Sequence, residues 1–140
     1  MAITAYMLDK DDRLNSYCVT AKCTYDHFLN MTEGSEGNLQ IQRSIIKGAK
    51  AYATLRSDLK RGCVLPPIVL AVSTELQGGA ERFLRVGGMN ELSFILSGLA
   101  AEDVYIIDGL QRTNAIRQTA IGLEGEQKEV FLAREIRLEI

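Results

Sequence analysis

Two short apolar runs constrain this chain most. Residues 64–72 read VLPPIVLAV and residues 104–107 read VYII, with Asp108-Gly109 directly after the second. Neither run alternates, and both are too short for an ordinary helix, so each predicts a strand buried within a sheet. The two prolines open the first run, where a missing N–H costs no ladder hydrogen bond. A strand covered on both faces needs helices to cover it, and the chain supplies them. Over residues 39–60, Ile41, Ile45, Tyr52, Leu55 and Leu59 recur at helical spacing, and Gly62 is a natural stop. The pattern predicts a small α/β domain.

Arg43, Lys47, Lys50 and Arg61 occupy the opposite face of that helix. Such a stripe is ordinarily the solvated side of an amphipathic helix. Lys47 and Lys50 are the DNA-phosphate candidates within it. Arg43, near the helix start, is placed to reach a neighbouring cleft.

The other elements follow from local pattern. Residues 2–8 and 16–24 predict strands, and residues 25–31 a short helix or an extended lead-in. Residues 82–86 alternate like a hairpin strand, residues 89–99 read as a short helix or irregular cover, and residues 110–121 as a helix closed by Gly122. Residues 128–140 are strand-like. The chain stops inside that pattern, which predicts a single domain, residues 1–140, forming the N-terminal part of a longer protein.

At 140 residues there is room for one core. No stretch approaches the roughly 18–20 apolar residues of a bilayer span, and residues 1–13 lack the pattern of a secretory signal, so a cytoplasmic protein is expected. Cys18, Cys23, Cys63 and the single histidine, His27, lack zinc-site spacing, and the three cysteines read as buried or half-buried thiols in a reducing compartment. A net charge of −2 argues against nonspecific nucleic-acid binding by the domain as a whole. Contact with DNA requires a local basic patch or a partner. Oligomeric state is open, a homo-oligomer included.

The chemistry concentrates at residues 105–117, YIIDGLQRTNAIR. Gly109 permits positive φ and a close approach by backbone or ligand. The helix beginning there aims unpaired N–H groups and its positive dipole end beyond the strand, an arrangement that holds phosphate or carboxylate. Arg112 falls on the helix's more apolar side and needs an anionic partner there. Asp108 and a bound phosphate both qualify, and the residues leave the two open. Gln111 and Thr113 are first-turn donors for phosphate or for the backbone. Asn114 and Arg117 project toward solvent. Asp108 has three candidate roles: capping the helix, orienting Arg112, or lending an oxygen to Mg²⁺.

The run IIDGLQRTNAI resembles the signature of the DGQHR-domain and DGQQR-domain proteins, distant relatives of the ParB and sulfiredoxin superfamily. LPPIVLAV resembles that family's Pro-Pro-Ile-Val strand, and Gln42-Arg43 stands where the family often has a polar pair. The resemblance touches three points across residues 40–120. It implies a ParB/sulfiredoxin-like α/β (α+β) fold, a mixed sheet flanked by helices, and a nucleotide pocket (ATP, GTP or CTP) at the Gly-x-x-Arg turn. It also implies a place in DNA modification or phage defence, as in the regulator of DNA phosphorothioation.

On that resemblance Gly109, Gln111, Arg112, Thr113 and Arg43 would bind phosphates. Asp108, Gln111 and Arg112 would carry any hydrolysis, with Asp108 on Mg²⁺. One departure matters: Leu110 replaces a polar residue. Leucine can neither attack, transfer a proton nor bind metal, so hydrolysis is in question while binding is not. A DNA-binding regulator or scaffold with a non-catalytic fold is the alternative. A nuclease is third, since only Glu102 and Asp103 accompany Asp108.

Overall fold

The computed structural model describes residues 2–13, 16–33, 49–72 and 88–140. In chain order the elements are β1 (Ile3–Asp11), β2 (Ser16–Thr24), α1 (Tyr25–Met31), α2 (Ala49–Arg61), β3 (Ile68–Val72), α3 (Met89–Ser97), β4 (Val104–Asp108), α4 (Leu110–Ile121), α5 (Gly125–Leu132) and β5 (Glu135–Glu139). The strands form one sheet in the order β1-β2-β5-β3-β4. Among the described strands only the β3–β5 pair is parallel, so the sheet is mixed and the fold is α+β, the fold class expected.

The middle strand is β5, which follows the other four in sequence. β5 pairs with β2 on one side and β3 on the other, and its ladder continues through Ile140, whose N–H and C=O both bond Val19. Period-two alternation explains the placement. Ile136 and Leu138 point into the core, opposite Cys23 and Ala21 of β2, and Leu138 also lies opposite Ile68 of β3. All five of these residues are buried. α1 packs on β2 and β5, α2 packs on α4, and α1, α4 and α5 meet one another. Tyr25 of α1 and Phe131 of α5 join edge to face at 5.0 Å.

The free edge of β1 is covered by α3 through two serines one turn apart. The N–H of Ala5 donates to Ser93 Oγ and the N–H of Ile3 to Ser97 Oγ, each at 2.8 Å. An unpaired strand edge would otherwise invite pairing with another chain.

Three expectations need correction. Residues 128–132 are helical: Gln127, Lys128, Glu129 and Leu132 are strong helix formers, and Phe131 gives the short helix its one buried anchor. VYII is not buried throughout, since Tyr105 is 62% and Ile107 65% exposed. β4 ends the sheet's order, and an apolar run there leaves one side uncovered. Periodicity alone does not reveal a strand's place in its sheet. The third correction concerns α4 and is given with the site. Helical structure is described from Ala49 onward, and α2 ends at Gly62 with φ 91°, as expected. Residues 39–48 and the expected hairpin strand at 82–86 lie outside the described residues.

Burial sets the behaviour of two titratable groups. The Cys23 thiol is pushed up to about 12, first by burial and then by Glu135, so it is an inert core group. His27, whose N–H is capped by Thr24 Oγ1, is held below its ordinary pKa of 6.5 by burial, with Asp26 partly opposing; its Nε2 has no partner. The unfolded chain therefore takes up this proton first. Stability is full above about pH 6.5 and declines as pH falls from there toward the folded pKa. Thermal melts between pH 7.5 and 5.5 should show this decline, and His27→Gln should flatten it.

Candidate anion-binding site

The site begins at a bulge. Val69 pairs with Asp108, but Leu70 pairs with Ile106, so Ile107 is an extra residue in β4. Bulges redirect the residues that follow. Here Asp108 is left 71% exposed by side chain, and Gly109 turns into α4.

Gly109 adopts φ 101°, in the left-handed region. It is the N-cap of α4 and supplies no side-chain cap, so Asp108 does not cap the helix. A Cβ at Gly109 would lie 2.4 Å from Ile68 Cδ1 and 2.9 Å from Arg112 Nη2. Glycine is thus required twice, by the backbone angle and by the strand pressed against it. The carbonyl of Gly109 accepts from the N–H and from the hydroxyl of Thr113, each at 2.9 Å. Thr113 is fully buried, and its hydroxyl closes the first turn from inside. It therefore positions the turn rather than facing a ligand. The N–H groups of Leu110 and Arg112 are first-turn donors of the kind an α-helix leaves without intrahelical partners.

Arg112 resolves the choice of partner that its sequence position leaves open. Its side chain is only 21% exposed, and Nη2 donates to the carbonyl of Pro67 at 2.9 Å and reaches Asp108 Oδ2 at 3.5 Å. The first bond is short and the second long, so Arg112 is held mainly by a backbone carbonyl and only loosely by the carboxylate. Its Nε is buried without a partner.

Two further arginines do the same for the same loop. Arg134 donates to Gly62 O at 2.7 Å and Arg137 to Leu65 O at 2.8 Å. The reason lies in residues 62–67, GCVLPP. Two prolines remove two N–H donors from this segment and prevent it from joining a ladder, so guanidinium groups satisfy its carbonyls instead. The Pro-Pro strand and the Gly-x-x-Arg turn thus form one contact. Pro67 accepts from Arg112, and Ile68 fills the space a side chain at Gly109 would need. Sequence reasoning missed Pro67, Ile68, Arg134 and Arg137 here. The consecutive prolines were the available signal, because they imply carbonyls in need of donors.

α4 is buried on more sides than its mixed sequence suggests. Asn114 is buried and Arg117 half-buried, its Nη2 donating to Leu29 O at 2.8 Å, which corrects their expected solvent positions. The cause is topological: α1, α2 and α5 all pack against this helix. Burial holds the Arg117 pKa below its ordinary value, with Glu33 opposing. Asn114 Nδ2 and Thr119 Oγ1 are buried without partners, a cost of about 1–3 kcal/mol for each unmade bond. Gln111 is half-buried and engaged within the protein. Arg43 and Lys47 lie outside the described residues, and of Lys50 only its place in α2 is described.

Among the described residues, no group of three or more His, Cys, Asp or Glu side chains is gathered as for a metal. Asp108 could lend one carboxylate oxygen to Mg²⁺, which commonly takes its remaining ligands from water and phosphate. No helix among the described residues is long and apolar enough to cross a membrane. Fold and turn together define an α+β domain whose α4 presents an uncapped N-terminus at the carboxyl end of a strand. No family model, curated protein or solved structure matches the chain.

Proposed function

We propose that this chain is a nucleotide-binding domain of a DNA-modification or phage-defence protein, with the ligand's phosphates seated on the N-terminus of α4. The observation that carries the reading is the opening of α4 by a left-handed glycine with no side-chain cap. This leaves backbone N–H groups and the positive dipole end available to an anion. Two further points support it. The exposed carboxylate of Asp108 adjoins the turn and could share Mg²⁺ with phosphates. The sequence around the turn resembles the DGQHR signature, and the Pro-Pro strand that accompanies it braces this same turn.

In this reading Leu110 and Arg112 bind through backbone N–H groups. Arg112 adds positive potential and holds the turn on Pro67 as a positioning residue. Leu110 offers no reactive group, so any hydrolysis would depend on electrostatic positioning with Asp108 and Gln111.

A regulator or scaffold in which the turn is purely structural is the second reading. The short Arg112–Pro67 bond favours it, because that bond gives the guanidinium a partner without any ligand. A thermal-shift screen with ATP, GTP and CTP, with and without Mg²⁺, separates the two. Binding predicts a stabilisation approaching about 2.7 kcal/mol at a hundredfold excess over Kd. No shift with any nucleotide favours the scaffold.

A further inference from the structure

Beneath the braced loop lies a cavity of about 180 Å³, whose wall includes Lys22, Tyr25, Cys63, Arg134 and Arg137. Its charge is unbalanced. Lys22 and Arg137 stand directly opposite each other across the β2–β5 ladder. Like charges in that arrangement are destabilising. Glu135 also borders the cavity, yet none of the three cations forms an ion pair with a carboxylate among the described residues. Lys22 has only the face of the Tyr6 ring, 6.0 Å away. Arg134 and Arg137 each donate through Nη2 to a loop carbonyl, and a guanidinium carries five N–H groups, so donors remain on both. Three cations from two adjacent strands and their lead-in thus converge on one small concavity, in a protein whose net charge is −2.

We propose that this cavity is a second anion site, which takes a tetrahedral oxyanion of the phosphate type between Lys22, Arg134 and Arg137. The bound anion offsets the Lys22–Arg137 repulsion, accepts the spare guanidinium donors, and covers the thiol of Cys63. The site is separate from the α4 turn and shares no residue with it, so it stands or falls independently of the nucleotide reading.

Cys63 provides the readout. Its alkylation by iodoacetamide, followed by peptide mass spectrometry to separate it from Cys18, is measured in inorganic phosphate and in chloride of equal ionic strength. Phosphate at about four times its Kd should slow the reaction at Cys63 by about fivefold, since occupancy shields the thiol by 1 + [L]/Kd. Lys22→Gln should abolish that protection. It should also melt no lower than the wild type in phosphate-free buffer, because it removes one of two facing like charges.

Equal rates in phosphate and chloride would overturn the proposal. So would undiminished protection in Lys22→Gln, or a lower melting point for that variant in phosphate-free buffer. A parallel arm with a mononucleotide identifies the source. Protection by phosphate alone assigns a free oxyanion, protection by both assigns a phosphomonoester end group, and either outcome upholds the site.

Discussion

Gly109→Ala should lower the melting temperature by about 10 °C. Two penalties combine. A residue with a Cβ in the left-handed region costs about 1–2 kcal/mol. The new methyl carbon would collide with Ile68 Cδ1, and the residues beside the two, Val69 and Asp108, are paired in the β3–β4 ladder. Overpacking of this kind adds about 1–3 kcal/mol. A total of about 3 kcal/mol, at about 2–4 °C per kcal/mol for a domain of this size, gives the expected shift. Ile68→Val removes the offending Cδ1, at its own cost of about 0.5–1.5 kcal/mol. The double variant should therefore be more stable than the sum of the single losses by about 1 kcal/mol. Strict additivity, measured by denaturant or thermal unfolding, would mean that the contact with Ile68 is not the source of the strain.

Arg112→Ala should cost about 2 kcal/mol, because it leaves the Pro67 carbonyl without its donor and loosens the strand that presses on Gly109. The alternative account gives the same residue an ion pair with Asp108, and the two predict different companions. Asp108 is 71% exposed and 3.5 Å away, so that pair contributes little. Asp108→Asn should consequently change stability by less than about 0.5 kcal/mol. The Arg112→Ala penalty should persist in high salt, which screens an exposed ion pair more than a partly buried bond to a carbonyl. A loss for Asp108→Asn equal to that for Arg112→Ala would contradict the geometry. Arg112→Lys should recover only part of the loss, since an ammonium lacks the planar fork of donors.

The sequence disclosed most where a local rule dominates. Alternation placed β2 and the core side of β5, prolines placed the start of β3, and Asp108-Gly109 placed the strand-to-helix turn. It disclosed least where position in the assembly decides. The exposure of Tyr105 and Ile107 depends on β4 standing at the end of the sheet's order. The burial of Asn114 and Arg117 depends on three helices converging on α4. Residues 128–132 look strand-like only when Phe131 is not known to anchor them on Tyr25.

The site divides the same way. Gly109 and the open helix start were legible as chemistry. Arg112's partner was not, because it is a main-chain oxygen 45 residues earlier that no side-chain pattern advertises. The thiol of Cys63 beside three cations was equally hidden, since its neighbours come from β2 and the β5 region rather than from its own segment.

The most direct test of the nucleotide reading is Gln111→Glu, assayed by isothermal titration calorimetry with the nucleotide that gives the largest thermal shift. A carboxylate in the first turn of α4 favours the helix dipole, and a melt of the variant without nucleotide checks that losing the half-buried Gln111 amide leaves the fold intact. The same carboxylate repels a phosphate seated on that turn, so binding should be lost. Undiminished affinity in Gln111→Glu, or no titratable binding in the wild type, would contradict the assignment of α4's N-terminus as the phosphate seat.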